Sequence, residues 1–121
     1  MAKHKHYKIT DGCPVEATLD LIGGQWKGML LFRLLAGTER FNALRRSLPG
    51  VTQRMLTKQL RELETAGLVH REVYAVVPPR VEYSLTPLGE SLAPVVGALR
   101  SWGEGYLTGK ARGRASGSAG K

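Results

Sequence analysis

The spacing of apolar residues changes several times along the chain, and each change marks an element. Pro14 suits the first turn of a helix, and Glu16 favours its positive end. The run reaches Ile22 before Gly23-Gly24 stops it. A second helix is predicted over residues 26–36, where Trp26, Leu30 and Leu34, with Leu31 and Leu35, form an i, i+4 face closed by Gly37. Residues 38–41 read as a short extended piece. A third helix is predicted over 42–48, with Asn42 as N-cap and Pro49-Gly50 as a stop.

The fourth helix has the clearest pattern. Thr52 caps it, and Gly67 follows Ala66 as a C′ residue. At about 100° per residue, Leu56, Leu60 and Leu63 lie within roughly 60° of one another. Arg54, Lys58 and Arg61 gather on the opposite side, with Thr57 beside them and Gln53 on the flank. Two extended runs follow, 68–77 and 81–86; in the second, Val81, Tyr83 and Leu85 alternate with Glu82, Ser84 and Thr86. Pro78-Pro79-Arg80 between them reads as a stiff basic hairpin tip, because proline cannot donate to a strand ladder. A last helix is predicted from Thr86 as cap and Pro87 at its first position to Tyr106. Its stripe of Leu88, Leu92, Val95, Leu99, Trp102 and Tyr106 would span about 30 Å, and Pro94 should bend it.

This order predicts a mainly α fold with a small β-hairpin: a winged helix-turn-helix. The third and fourth helices, joined by Pro49-Gly50-Val51, form the helix-turn-helix, and the hairpin forms the wing. In that motif the second helix enters the major groove. Here it presents Gln53, Arg54, Thr57 and Lys58, residue types suited to base edges: Arg to guanine, Gln to adenine, a Thr methyl to thymine. The Thr52 hydroxyl and the free amides at the helix start suit a phosphate. Arg40, Asn42, Arg45, Arg46 and Arg61 join the candidate DNA contacts, as do Pro79 and Arg80 at the wing.

Composition sharpens this reading. A chain of 121 residues, 42% hydrophobic, fits one globular domain. No apolar run approaches the ~18 residues of a membrane span, so no membrane partner is expected, and the basic start leads into no apolar secretory segment. The single cysteine, Cys13, allows no internal disulfide and fits a reducing compartment. The expected location is the cytoplasm, in association with the nucleoid. The net charge is +8. Residues 1–12 form a basic arm, and residues 108–121 carry four cations and no acid. From residue 111 on there is no apolar period, so disorder is expected. Between these ends, in a domain spanning 13–107, residues 40–61 hold Arg40, Arg45, Arg46, Arg54, Lys58 and Arg61 without one acid. Such a field favours a polyanion. The alternatives are a solvated helix face with acids nearby in space, or a winged helix that binds protein; steep salt dependence separates DNA binding from an apolar protein contact.

Enzymatic chemistry finds no support. Glu62 and Glu64 are two apart and point in different directions, and no histidine accompanies Cys13 in a recognisable motif. His4 and His6 would give a metal only two ligands, so neither metal nor cofactor is expected.

The sequence resembles the HxlR-type branch of the MarR-like winged-helix regulators. The resemblance rests on Cys13-Pro14-Val15-Glu16, Gly23-Gly24-Gln25-Trp26-Lys27, Arg40 through Arg46, Met55 through Glu64, Gly67-Leu68-Val69, Tyr74, Val77 through Thr86, and Leu88-Gly89. It implies a homodimeric transcription factor whose fourth helix and wing contact operator DNA, with added N- and C-terminal helices forming the dimer interface. Val15 and Leu19 on the first helix, and Leu92, Val95, Leu99, Trp102 and Tyr106 on the last, are the interface candidates. It also implies that a cysteine at the position of Cys13 senses electrophiles or oxidants in some members, while others answer to small molecules. Cys13 sits at a helix start, where the dipole favours the reactive thiolate. The competing signal is an aromatic effector in a crevice by Trp26 or Trp102.

Overall fold

The computed structural model describes residues 12–116. The elements run α1 (Pro14–Ile22), α2 (Lys27–Leu35), β1 (Glu39–Arg40), α3 (Phe41–Ser47), α4 (Gln53–Thr65), β2 (Val69–Tyr74), β3 (Arg80–Leu85), α5 (Pro87–Glu90) and α6 (Ala93–Ser116). The basic arm expected over residues 1–12 lies outside the described residues, save for Gly12 at its end.

Leucines make the core. Leu30, Leu31 and Leu34 of α2 meet Leu44 of α3, Leu56, Leu60 and Leu63 of α4, and Leu68 at the start of the wing. The face predicted from the period of α4 is therefore the buried one. Thr52 caps α4 as expected, its Oγ1 accepting from the Met55 amide at 3.0 Å. Gly67 ends it at φ +79, where the Gly67 amide donates to Glu64 and the Leu68 amide to Leu63. This paired closure requires a left-handed residue, hence glycine. Between α3 and α4, Gly50 at φ +90 completes the tight turn.

The sheet is larger than the expected hairpin. The extended piece after α2 is a paired strand, and three antiparallel strands lie in the order β1-β3-β2. Glu39 faces Tyr83 and Arg40 faces Glu82 in the register. That pairing holds Arg40 extended, and α3 begins at once at Phe41 with Arg40 as its N-cap residue. Asn42 thus stands inside α3 and does not cap it. Trp26 likewise serves as the N-cap residue of α2 and is buried in the core.

Two further expectations are corrected. Arg80 is not at the hairpin tip: it opens β3, opposite Tyr74, and the loop is residues 75–79. The last helix is in fact two. Thr86 caps the single turn of α5, accepting from the Gly89 amide at 3.0 Å, and the chain breaks at Ser91 and Leu92 before α6 starts. Pro94 falls in the first turn of α6, where a missing amide costs nothing, so it starts the helix and does not bend it. α6 then runs through the boundary placed at residue 108 and on to Ser116. Residues 117–121 of the expected tail lie outside the described residues.

Candidate nucleic-acid interface

α3 and α4 each bury an apolar face and leave cationic side chains exposed. The α4 leucines pull one face into the core, which turns Gln53, Arg54, Lys58 and Arg61 outward, with Thr57 half-buried beside them. Arg45 and Arg46 of α3, together with Arg40 and Asn42, are exposed on the preceding turn of chain. The sequence-predicted candidates of the helix-turn-helix are thus exposed, save for half-buried Thr57; Arg40, Asn42 and Arg46 share one cleft, and Gln53, Thr57 and Arg61 another.

Ion pairing decides whether that surface has a net field. Among the described residues, no ion pair engages Arg40, Arg45, Arg46, Arg54 or Arg61. Nearby acids instead bind cations at the margins: Glu39 is 3.7 Å from Arg33, and Glu82 is 3.1 Å from Arg80. Acids do stand near this face, since Glu39 and Glu82 line the cleft with Arg40 and Arg46, and Glu64 lines the one with Arg61, but none of them is in ion-pair contact with those arginines.

The wing differs from its predicted form. Arg80 lies over the Tyr74 ring at 4.3 Å and pairs with Glu82 as an ion pair without a hydrogen bond. Its charge is largely committed within the sheet. Pro79 is exposed, and the tip around it is apolar, with Val77 fully exposed beside it. A cleft of about 810 Å³ runs between the wing and the start of α3, bounded by Arg40, Asn42, Arg46, Pro79 and Arg80. A second, of about 320 Å³, separates α4 from the strands and is lined by Gln53, Thr57, Arg61 and Arg71. Arg71 was missed in the sequence because it stands alone among the residues of β2. Only the packing of α4 against β2 brings it to the same cleft as Arg61.

Lys27 was missed as well. It is the one buried charge among the described residues, with its Nζ 2.6 Å from Glu62 Oε1. The other carboxylate oxygen of Glu62 is 3.4 Å from Lys58. The hydrogen bond from Lys27 holds the Glu62 carboxyl below the usual carboxylate range against the opposing push of burial, and the charges of Lys27 and Lys58 add to it. A signal was present: Lys27, Leu30, Leu31 and Leu34 follow the i, i+3, i+4, i+7 spacing, which puts the lysine on the apolar face of α2.

The other candidates lie away from this surface. Cys13 is exposed, the N-cap residue of α1 with no side-chain cap bond. Val15, Leu19, Val95, Leu99, Trp102 and Tyr106 are exposed apolar residues of α1 and α6, and Trp102 stacks on Tyr106 at 5.3 Å. Leu92 departs from that set, since it packs against the core in the break before α6. Trp26 is in the core and Trp102 is 71% exposed. The apolar crevice, about 540 Å³, lies between α2 and α6, lined by Met29, Phe32, Leu48, Val96 and Leu99. No helix among the described residues is long and apolar enough to cross a membrane.

A helix-turn-helix with a three-stranded wing and an exposed cationic outer face defines a winged helix-turn-helix transcriptional regulator, a class that acts on DNA. The HxlR-like helix-turn-helix family model matches residues 21–111, and the chain belongs to that family, one of regulators and not of enzymes. The regulator YdeP of Bacillus subtilis (strain 168), an uncharacterised protein of the helix-turn-helix type, is 60% identical over 96 residues, 79% of this chain and 75% of its own length. The redox regulator HypR in its oxidised form superposes with a TM-score of 0.74 at 60% identity, covering 77% of this chain and 96% of HypR. The reduced transcriptional regulator YodB from B. subtilis superposes at 0.67 with 34% identity, covering 75% and 90%.

Proposed function

We propose that this protein is a homodimeric, sequence-specific regulator of double-stranded operator DNA, with Cys13 as its sensor of oxidants or electrophiles. The observation that carries the DNA reading is the outward face of α3 and α4, whose arginines have no ion-pair partner among the described residues. In this reading Gln53, Arg54, Thr57 and Lys58 meet base edges, and Arg40, Asn42, Arg45, Arg46, Thr52 and Arg61 hold the backbone, with Pro79 and Arg80 at the wing. The arm at 1–12 and the cations after 108, which lie beyond a winged domain taken as 13–107 but in part on the same α6 helix, add salt-sensitive affinity without base choice. The exposed apolar residues of α1 and α6 support dimerisation, since pairing across a two-fold axis would cover Val15, Leu19, Trp102 and Tyr106 and duplicate α4.

A footprint on genomic fragments, beginning with the protein's own promoter, tests this. Two protected half-sites about one helical turn apart, or a multiple of that, are expected. No protection, with association indifferent to salt, would refute it.

The redox reading draws on the name of HypR and on the exposure of Cys13 at the start of α1. With one cysteine per chain, oxidation ends in a bond to the partner's Cys13, a mixed disulfide with a small thiol, or an adduct. Any of these beside a dimer interface would change the spacing of the two α4 helices. Titration with diamide or a quinone should change operator affinity in the wild type and leave Cys13→Ser unchanged; an equal response from both makes Cys13 structural. A second reading, a small aromatic effector in place of redox sensing, is favoured by the crevice under Phe32, where Arg100 stands 5.5 Å over the ring. Response to aromatic ligands retained by Cys13→Ser would support it.

A further inference from the structure

Lys27 occupies a place where a charge is costly. Its side chain is 9% exposed, on the first turn of α2 and the same face as Leu30, Leu31 and Leu34. Taking an ammonium out of water is expensive even when it is paired. A Met at 27 with a Gln at 62 would fill similar volume without burying an ion. Packing therefore does not explain the lysine, and the explanation lies in what its charge does to its surroundings.

What it touches is α4. Glu62 stands at the border of the cationic face and divides its carboxylate: Oε1 to Lys27 inside, Oε2 to Lys58 outside. Lys58 is one turn back on the same helix and largely exposed. Without Lys27, the negative charge of Glu62 would bear more heavily on Lys58, already 3.4 Å away, and would offset it at the edge of the DNA-facing surface. With Lys27 in place, the three groups sum to one positive charge, and that charge faces solvent.

We propose that Lys27 is a positioning residue for DNA binding: from inside the core it occupies Glu62 and so leaves the Lys58 ammonium available to a phosphate. This rests on the DNA-binding reading above and deepens it. A lysine with no contact to DNA sets the charge of a helix that has one.

The test uses the full chain and a mixed-sequence DNA duplex, because a phosphate contact carries no base identity. Each phosphate contact contributes about 0.9 to the slope of log affinity against log salt. Losing one contact per subunit, two per dimer, lowers the slope by about 1.8 and the affinity about two hundredfold at 0.05 M salt, if those contacts contribute nothing at 1 M. Lys27→Met should show this loss and the shallower slope while keeping the wild-type far-ultraviolet spectrum. Lys27→Met with Glu62→Gln should recover wild-type affinity and slope, because no carboxylate remains to take Lys58. A folded Lys27→Met protein with unchanged affinity and slope, or a double variant as weak as the single, overturns the proposal. Should Lys27→Met lose its fold, Lys58→Met carries the test, since it alters only an exposed side chain. There the slope should fall by about one contact per subunit, and the Glu62 carbon-13 carboxyl signal should still titrate below the ordinary range. Return of Glu62 to the ordinary range, or an unchanged slope, would overturn the proposal. Wild-type protein that binds no duplex at all sinks the DNA-binding reading, and this one with it.

Discussion

Gly89→Ala and Gly97→Ala make the same chemical change in two helices and should have opposite effects. Gly89 is buried in the single turn of α5, beside Leu68 at the root of the wing. A Cβ there would overlap the Leu68 carbonyl oxygen, and would stand 3.1 Å from its carbon and 3.2 Å from Leu85 Cδ2. Backbone cannot swing aside as a side chain can. Relief requires moving Leu68, itself 1% exposed, and stretching the 3.1 Å bond from the Thr86 amide to that same carbonyl. Overpacking of this kind costs about 1–3 kcal/mol, and a weakened hydrogen bond about 1 more. The better helix propensity of alanine returns at most about 1 kcal/mol. The net destabilisation is about 2 kcal/mol, a fall in melting temperature of roughly 5–10 °C. Gly97 lies in α6 with nothing within 4 Å of the added atom, so there only the propensity gain of about 0.5–1 kcal/mol remains, and the melting temperature should rise. Parallel thermal melts by circular dichroism decide it. A Gly89→Ala protein that melts at or above the wild type would show that α5 is not held against the wing as described.

Other substitutions test the surface and the assembly. Arg54→Ala should cost about 1–3 kcal/mol on the operator and relax preference at one base pair, while Arg45→Ala should weaken all sequences alike, as measured by competition binding. Because Arg80 is tied to Glu82 and Tyr74, Arg80→Ala should lower the salt slope less than Arg45→Ala does; an equal change would mean the pair opens on DNA. Trp102→Glu should weaken dimerisation by about 2 kcal/mol or more in sedimentation equilibrium, and an unaltered dimer would place the interface elsewhere. Glu62 titrates below its ordinary 4.5 in the folded state, so its stabilisation is present above that value and disappears as pH falls through the folded one. The stability difference between wild type and Glu62→Gln should therefore shrink on acidification, as followed by urea titrations at several pH values.

Periodic features were legible in the chain, because period follows directly from backbone geometry. The leucine face of α4, its Thr52 cap and its Gly67 stop needed nothing beyond local sequence. What failed depended on partners distant along the chain. Glu39-Arg40 becomes a strand only because β3 passes beside it, and that pairing displaces Asn42 from the cap it would otherwise suit. Pro94 was ambiguous for a related reason. A proline inside a helix and a proline opening one have the same sequence signature until Leu92 is seen to turn into the core. Leu88-Gly89 could be matched to the HxlR pattern but not explained, since the need for glycine comes from the Leu68 carbonyl, twenty-one residues earlier.

Charge is where sequence order and spatial order part most widely. Along the chain, residues 40–61 form a cationic block, and Glu62 comes just after it as if to end it. In the fold, Glu62 turns toward Lys27 in the core, Glu39 toward Arg33, and Glu82 toward Arg80 within the sheet. These three acids thus have a cation behind or beside them, and the arginines of α3 and α4 have no ion-pair partner among the described residues. The wing follows the reverse logic: its arginine is committed, and its tip is valine and proline. A surface so divided assigns charge, and with it affinity and salt dependence, to the helix-turn-helix, and shape to the wing. The basic composition alone could not make that assignment. It depends on which acids the leucine core permits to reach which cations.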